Sequence, residues 1–76
     1  MNIKILGTGC PKCKTLAANT RKAVDELKIE AVIEKVEKIE DIMQFNVMLT
    51  PAFVVDEQVK SAGKVLTAEQ IKKILS

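Results

Sequence analysis

The sequence predicts an α/β fold in the order β-α-β-α-β-β-α, a four-stranded mixed sheet with three helices against it. Three observations carry this. The chain has 76 residues, the length of one small domain, so residues 1–76 are expected to form a single unit. Short β-branched and apolar runs alternate with stretches whose apolar residues recur every three or four positions. A strand–helix–strand opening implies a parallel pair with a right-handed crossover, and the last two strands lie close enough in sequence for an antiparallel hairpin.

The first strand is "NIKIL" (Asn2–Leu6), rich in Ile and stopped by Gly7 and Gly9. Pro11 suits a first helical position, where a missing N–H costs nothing. Cys13, Leu16, Ala17, Thr20, Val24 and Leu27 then make one face of a helix from about Pro11 to Leu27. "EAVIEKVE" (Glu30–Glu37) reads as a second strand, and Ile39, Ile42 and Met43 as a short second helix. "AFVV" (Ala52–Val55) is a continuous apolar run, expected to be buried on both faces. Asp56–Glu57 turns the chain into "QVKSA" (Gln58–Ala62) without the glycine that two-residue hairpins favour. Gly63 ends that strand. Thr67 with Gln70 three residues later is a capping box, and Ile71, Ile74 and Leu75 give the last helix its apolar stripe. Met43, Met48 and Phe53 are expected to fill the core.

Composition narrows the function. Twelve Lys and Arg against ten Asp and Glu give a net charge of +2, too balanced for a nucleic-acid or anionic-membrane partner. His, Trp and Tyr are absent, which removes the commonest metal ligand and most aromatic stacking platforms; only Phe45 and Phe53 remain. No apolar run is long enough to span a bilayer. "MNIKIL" lacks the apolar region of a secretory leader, so the expected location is the cytoplasm, where thiols stay reduced.

The chemistry must then come from "GTGCPKC", which holds both cysteines, Cys10 and Cys13. They can be a redox couple, half of a metal site, or two inert thiols. A Cys10–Cys13 bridge closes too short a loop to be a useful staple. Zinc takes four ligands, and two thiolates without His would need a dimer to close the site. At the mouth of the first helix, the Cys10 sulfur would face unpaired N–H groups and the positive end of the dipole, which favour thiolate. Lys12 and Lys14 add nearby positive charge, or simply line a solvated face. Cys13, one turn further in on the apolar face, is expected to be more buried and less ionised. The pair suits two-step exchange: Cys10 attacks a substrate disulfide, and Cys13 then displaces the captured thiol. Gly7 and Gly9 leave little bulk, so a partner backbone can approach. In "LTPAFVV", Pro51 either begins an edge strand or follows a cis bond.

A CxxC opening a helix after the first strand, with a Thr-Pro before a β-hairpin and a last helix, resembles the thioredoxin superfamily. "GTGCPKC", "LTPAFVVDEQVK" and "IKKIL" carry the resemblance, which spans nearly the whole chain and is nearest to small prokaryotic, glutaredoxin-sized redox-active disulfide proteins. It implies a minimal thioredoxin-like fold with strand order 2-1-3-4 and the third strand antiparallel to the first. It also implies a cis Pro51 opposite Cys10 and Cys13, with the Thr50 backbone pairing with substrate. Thr50, Pro51, Gly9 and Pro11 are the candidate substrate-binding residues. Cys10 is the candidate nucleophile, Cys13 the resolving thiol, and Lys12 and Lys14 are candidates for acidifying or docking. The implied activity is thiol–disulfide exchange with protein or small-molecule disulfides, and the chain is expected to act as a monomer. No cofactor beyond the disulfide itself is implied, and a flavin-dependent disulfide reductase would restore the dithiol.

The sequence departs from the family at three places. Thr8 and Gly9 stand where thioredoxins carry an aromatic residue. The family's buried acid maps near Lys4, leaving the proton acceptor for Cys13 unassigned. "SAGKVLT" keeps only Gly63 of the glutaredoxin glutathione site. The rival reading is a soft-metal carrier for copper or zinc using both thiolates. Carriers of the ferredoxin-like type need two successive strands after the first helix, where "KIEDIMQF" reads as helical, and they give Thr50–Pro51 no role. A weaker third option is a subunit whose cysteines only sense oxidation.

Overall fold

The structure is a computed structural model and describes residues 1–9 and 11–76. Its elements follow in the expected order: β1 (Asn2–Leu6), α1 (Pro11–Leu27), β2 (Val32–Val36), α2 (Ile39–Met43), β3 (Ala52–Val55), β4 (Gln58–Ala62) and α3 (Ala68–Leu75). The strands form one sheet in the order β2-β1-β3-β4. β1 runs parallel to β2 and antiparallel to β3, and β3 pairs antiparallel with β4. β2 is shorter than the Glu30–Glu37 run suggests.

The two-residue period of the strands sorts side chains between two apolar layers. Ile3 and Ile5 of β1 with Phe53 and Val55 of β3 pack on Leu16, Ala23 and Val24 of α1 and on Ile71 of α3. On the other face Leu6, Ala52 and Val54 meet Ile42 of α2, with Val36, Phe45 and Val47 at the margin. All four residues of β3 are buried, because the strand is central and covered on both sides. The polar Thr20 is buried without cost because its Oγ1 donates to the Leu16 carbonyl at 2.8 Å.

The turn between β3 and β4 falls where expected, whereas the filling of the core does not. The Asp56–Glu57 turn needs no glycine: both residues adopt positive φ, 49° and 69°, the conformation of a type I′ turn. Asp56 is held there by Asn2, whose N–H donates to Asp56 Oδ1 at 2.9 Å and whose carbonyl accepts from the Asp56 N–H at 2.8 Å. Of the three residues expected as core filler, only Phe53 is buried; Met43 and Met48 are 64% and 95% exposed. The short α2 turns only Ile42 onto the sheet and leaves Met43 on its outer side, where, among the described residues, no other element covers it, and Met48 lies beyond α2 in the connection to β3.

Candidate functional site

α1 begins at Pro11, as its fixed φ and missing N–H favour. Its first turn is tied by the Thr15 hydroxyl, which donates to the Pro11 carbonyl at 3.0 Å. Two residues in, Cys13 lies on the buried face, 6% exposed. Its sulfur occupies the space beside Gly7, just beyond the end of β1: a Cβ on Gly7 would collide with Cys13 Sγ. The same Cβ would lie 3.3 Å from Cys13 Cβ and 3.9 Å from Thr50 Cβ. The room left by Gly7 is therefore filled by the protein's own thiol rather than held open for a partner backbone. Gly7 is anchored by its N–H, which donates to the Val36 carbonyl at 2.9 Å.

Three remote segments thus converge: the end of β1, the first turn of α1, and the residue before Pro51. Thr50 is exposed and Pro51 buried, and the peptide bond between them is cis. The Pro51 carbonyl accepts from the Gly63 N–H at 2.8 Å, so the end of β4 braces this loop. Pro11, Lys12 and Lys14 are exposed on the first turn of α1, and Gly9 is exposed at φ +88°. The expectations for Cys10, its acidity and its role as nucleophile, lie outside the described residues.

On the β2 side of Cys13 opens a cleft of about 370 Å³. Gly7, Gly9, Cys13 and Lys14 line it together with two residues to which the sequence reading gave no chemical role, Lys35 and Glu37. The parallel register sets Lys35 beside Ile5, and strand alternation puts it on the same face as Ile33, the face covered by α1. Glu37 stands two positions further on, just past the end of β2, and its Oε2 lies 3.2 Å from where a Gly9 Cβ would be. A signal for both was present: in a parallel pair the two strands end side by side, so charges closing the second strand fall beside whatever follows the first.

Lys4 faces elsewhere. Its ammonium pairs with Glu57 at 2.7 Å and lies 5.3 Å from the centre of the Phe45 ring, in a groove on the α2 side of the sheet. The hydrogen bond to Glu57 holds Lys4 above the ordinary lysine range; partial burial opposes this, and the charges of Glu57 and Glu34 add to it. Lys4 does not line the Cys13 cleft. Among the described residues no three His, Cys, Asp or Glu side chains group as a metal site, and no helix is long and apolar enough to cross a membrane.

The comparisons with known proteins agree with this architecture. The sequence matches the family described as Thioredoxin domain over residues 1–76. A protein named Thioredoxin from Methanothermobacter thermautotrophicus is 43% identical over 76 residues, covering 100% of this chain and 99% of the relative. A second protein of that name, from Methanocaldococcus jannaschii, is 42% identical over 73 residues, covering 96% of this chain and 84% of the relative. With a family match along its full length and relatives well above 30% identity that it covers almost entirely, the chain belongs to the thioredoxin domain family.

Proposed function

We propose that Cys10 and Cys13 form the dithiol–disulfide couple through which this protein exchanges electrons with disulfide-bonded proteins. As a thioredoxin-like protein, the chain is a thiol–disulfide oxidoreductase. The observation that best supports the assignment of residues is the seating of the Cys13 sulfur against Gly7, with Thr50 of the cis Thr50–Pro51 pair alongside. A buried thiol in that position suits a resolving role, because it is shielded from outside disulfides yet sits at the rim a substrate chain must approach. Cys10 immediately precedes the first residue of α1 in sequence and takes the role of nucleophile.

The exchange balances as follows. The Cys10 thiolate attacks one sulfur of the substrate disulfide, forming a mixed disulfide and expelling the other sulfur as a thiolate. The Cys13 thiolate then attacks the Cys10 sulfur, the Cys10–Cys13 bond forms, and the second substrate sulfur departs. The substrate gains two electrons and the protein loses two. The exposed Thr50, with Pro51, Gly9 and Pro11, provides the rim for the substrate chain, and the exposed Lys12 and Lys14 favour the Cys10 thiolate or help dock the substrate. A flavin-dependent disulfide reductase returns the electrons, and a reducing cytoplasm is the matching compartment.

Dithiothreitol-driven reduction of insulin tests this reading. Wild type should turn over, Cys10→Ser should be inactive, and Cys13→Ser should accumulate mixed disulfides in cell extract. No turnover by wild type, combined with retention of copper or zinc through purification, would replace the oxidoreductase with the soft-metal carrier.

A further inference from the structure

We propose that Glu37 accepts, through water in the cleft, the proton that Cys13 must lose before it can resolve the mixed disulfide. This rests on the exchange reading above and adds a residue to it. Cys13 is 6% exposed, and burial favours the neutral thiol, whereas only the thiolate attacks. The proton therefore needs an acceptor that can be reached from the buried sulfur. The cleft beside Cys13 is the way out, and its volume of about 370 Å³ has room for several waters.

The side chains around that cleft decide which group can serve. Lys14 and Lys35 carry ammonium groups, which donate and do not accept. Glu37 brings the cleft's carboxylate. Its Oε2 approaches Gly9 so closely that a side chain there would crowd it, and the bare glycine leaves that approach open. The strand position where the family's acid would stand is Lys4, a cation paired with Glu57 in a different groove. Glu37 faces Lys14 of α1 and Lys35 of β2 across the cleft. Around the adjoining groove it faces Lys4, Lys38, Glu34, Asp41 and Glu57.

In the step itself, the Cys13 thiol proton passes by way of water to a Glu37 carboxylate oxygen. The thiolate left behind attacks the Cys10 sulfur. As the Cys10–Cys13 bond forms, the bond to the substrate sulfur breaks and its electron pair leaves with that sulfur, which takes up the proton. No outside oxidant or reductant enters.

The test is stopped-flow mixing of the reduced full-length protein with a limiting amount of 5,5′-dithiobis(2-nitrobenzoate). The first coloured thiolate reports attack and the second reports resolution. Glu37→Gln should leave the first phase unchanged and slow the second on the order of 100-fold at neutral pH, the low end of what a positioned proton acceptor contributes. The deficit should close as pH rises and hydroxide takes over, and Glu37→Asp should restore much of the rate. A merely structural role would move the thermal midpoint without this pH signature. If wild type shows both phases and Glu37→Gln resolves at the wild-type rate at every pH, the assignment of Glu37 is overturned and the exchange reading survives. If wild type releases no second thiol, the exchange reading falls and Glu37 with it.

Discussion

One missing methyl group, at Gly7, decides where the second sulfur rests. Because Cys13 Sγ fills that space, Gly7→Ala must push the thiol away from residue 7 or shift the first turn of α1. Overpacking of this kind costs about 1–3 kcal/mol. Chemical denaturation should show a loss of that size, and mixed disulfides with substrate should persist longer than in wild type. A stable Gly7→Ala protein with unchanged resolution would mean the sulfur's seat is not functionally constrained. The glycine itself was conspicuous in the sequence, but its purpose was not, since a strand-ending glycine looks the same whether it admits a partner or a neighbouring side chain. Glu37 was hidden for a related reason: a glutamate closing a strand reads as solvated until the parallel register brings it beside residue 9.

Among the elements, those with local chemical punctuation were the most legible. The capping box of α3 was evident from Thr67 and Gln70, and both of its hydrogen bonds are present: Gln70 N–H to Thr67 Oγ1 at 3.2 Å, and Thr67 N–H to Gln70 Oε1 at 3.0 Å. Thr67→Ala should cost about 1 kcal/mol. In a chain this short that lowers the melting temperature by about 4–8 °C, measurable by circular dichroism at the helical band. An unchanged midpoint would show that packing of Ile71 alone holds the helix. By contrast, Met43 and Met48 show where apolar character misleads. Hydrophobicity reports what a residue would gain by burial, not whether a neighbouring element is long enough to provide it. β2 is shorter than its sequence suggests because Glu30, Ala31 and Glu37 adjoin the run holding Val32, Ile33 and Val36 yet lie beyond the strand.

At the scale of the whole molecule, α1 and α3 share a sheet face and are joined at their exposed edges by Lys72 and Glu26, 2.8 Å apart. The hydrogen bond from Lys72, with its charge, holds the Glu26 carboxyl below the ordinary range, and the same bond holds Lys72 above the lysine range. A depressed acid stabilises above its unfolded-state value and loses that contribution as pH falls through its folded value. A raised lysine stabilises below its unfolded-state value and loses its contribution as pH rises through its folded one. The gap in melting temperature between wild type and Lys72→Met should therefore be widest near neutrality. It should close below the carboxylate range and again above the lysine range, and shrink in high salt. A gap independent of pH would assign the effect to the packing of the lysine stem instead.

The sheet order also bears on how the chain assembles during synthesis. β1 emerges first yet lies between β2 and β3, so one side of it must await a strand made roughly fifty positions later. Until Ala52–Val55 leaves the ribosome, the nascent chain carries an unpaired central edge. For this protein, the sheet can close only once β3 has been made, and until then the β-α-β segment keeps one flank bare.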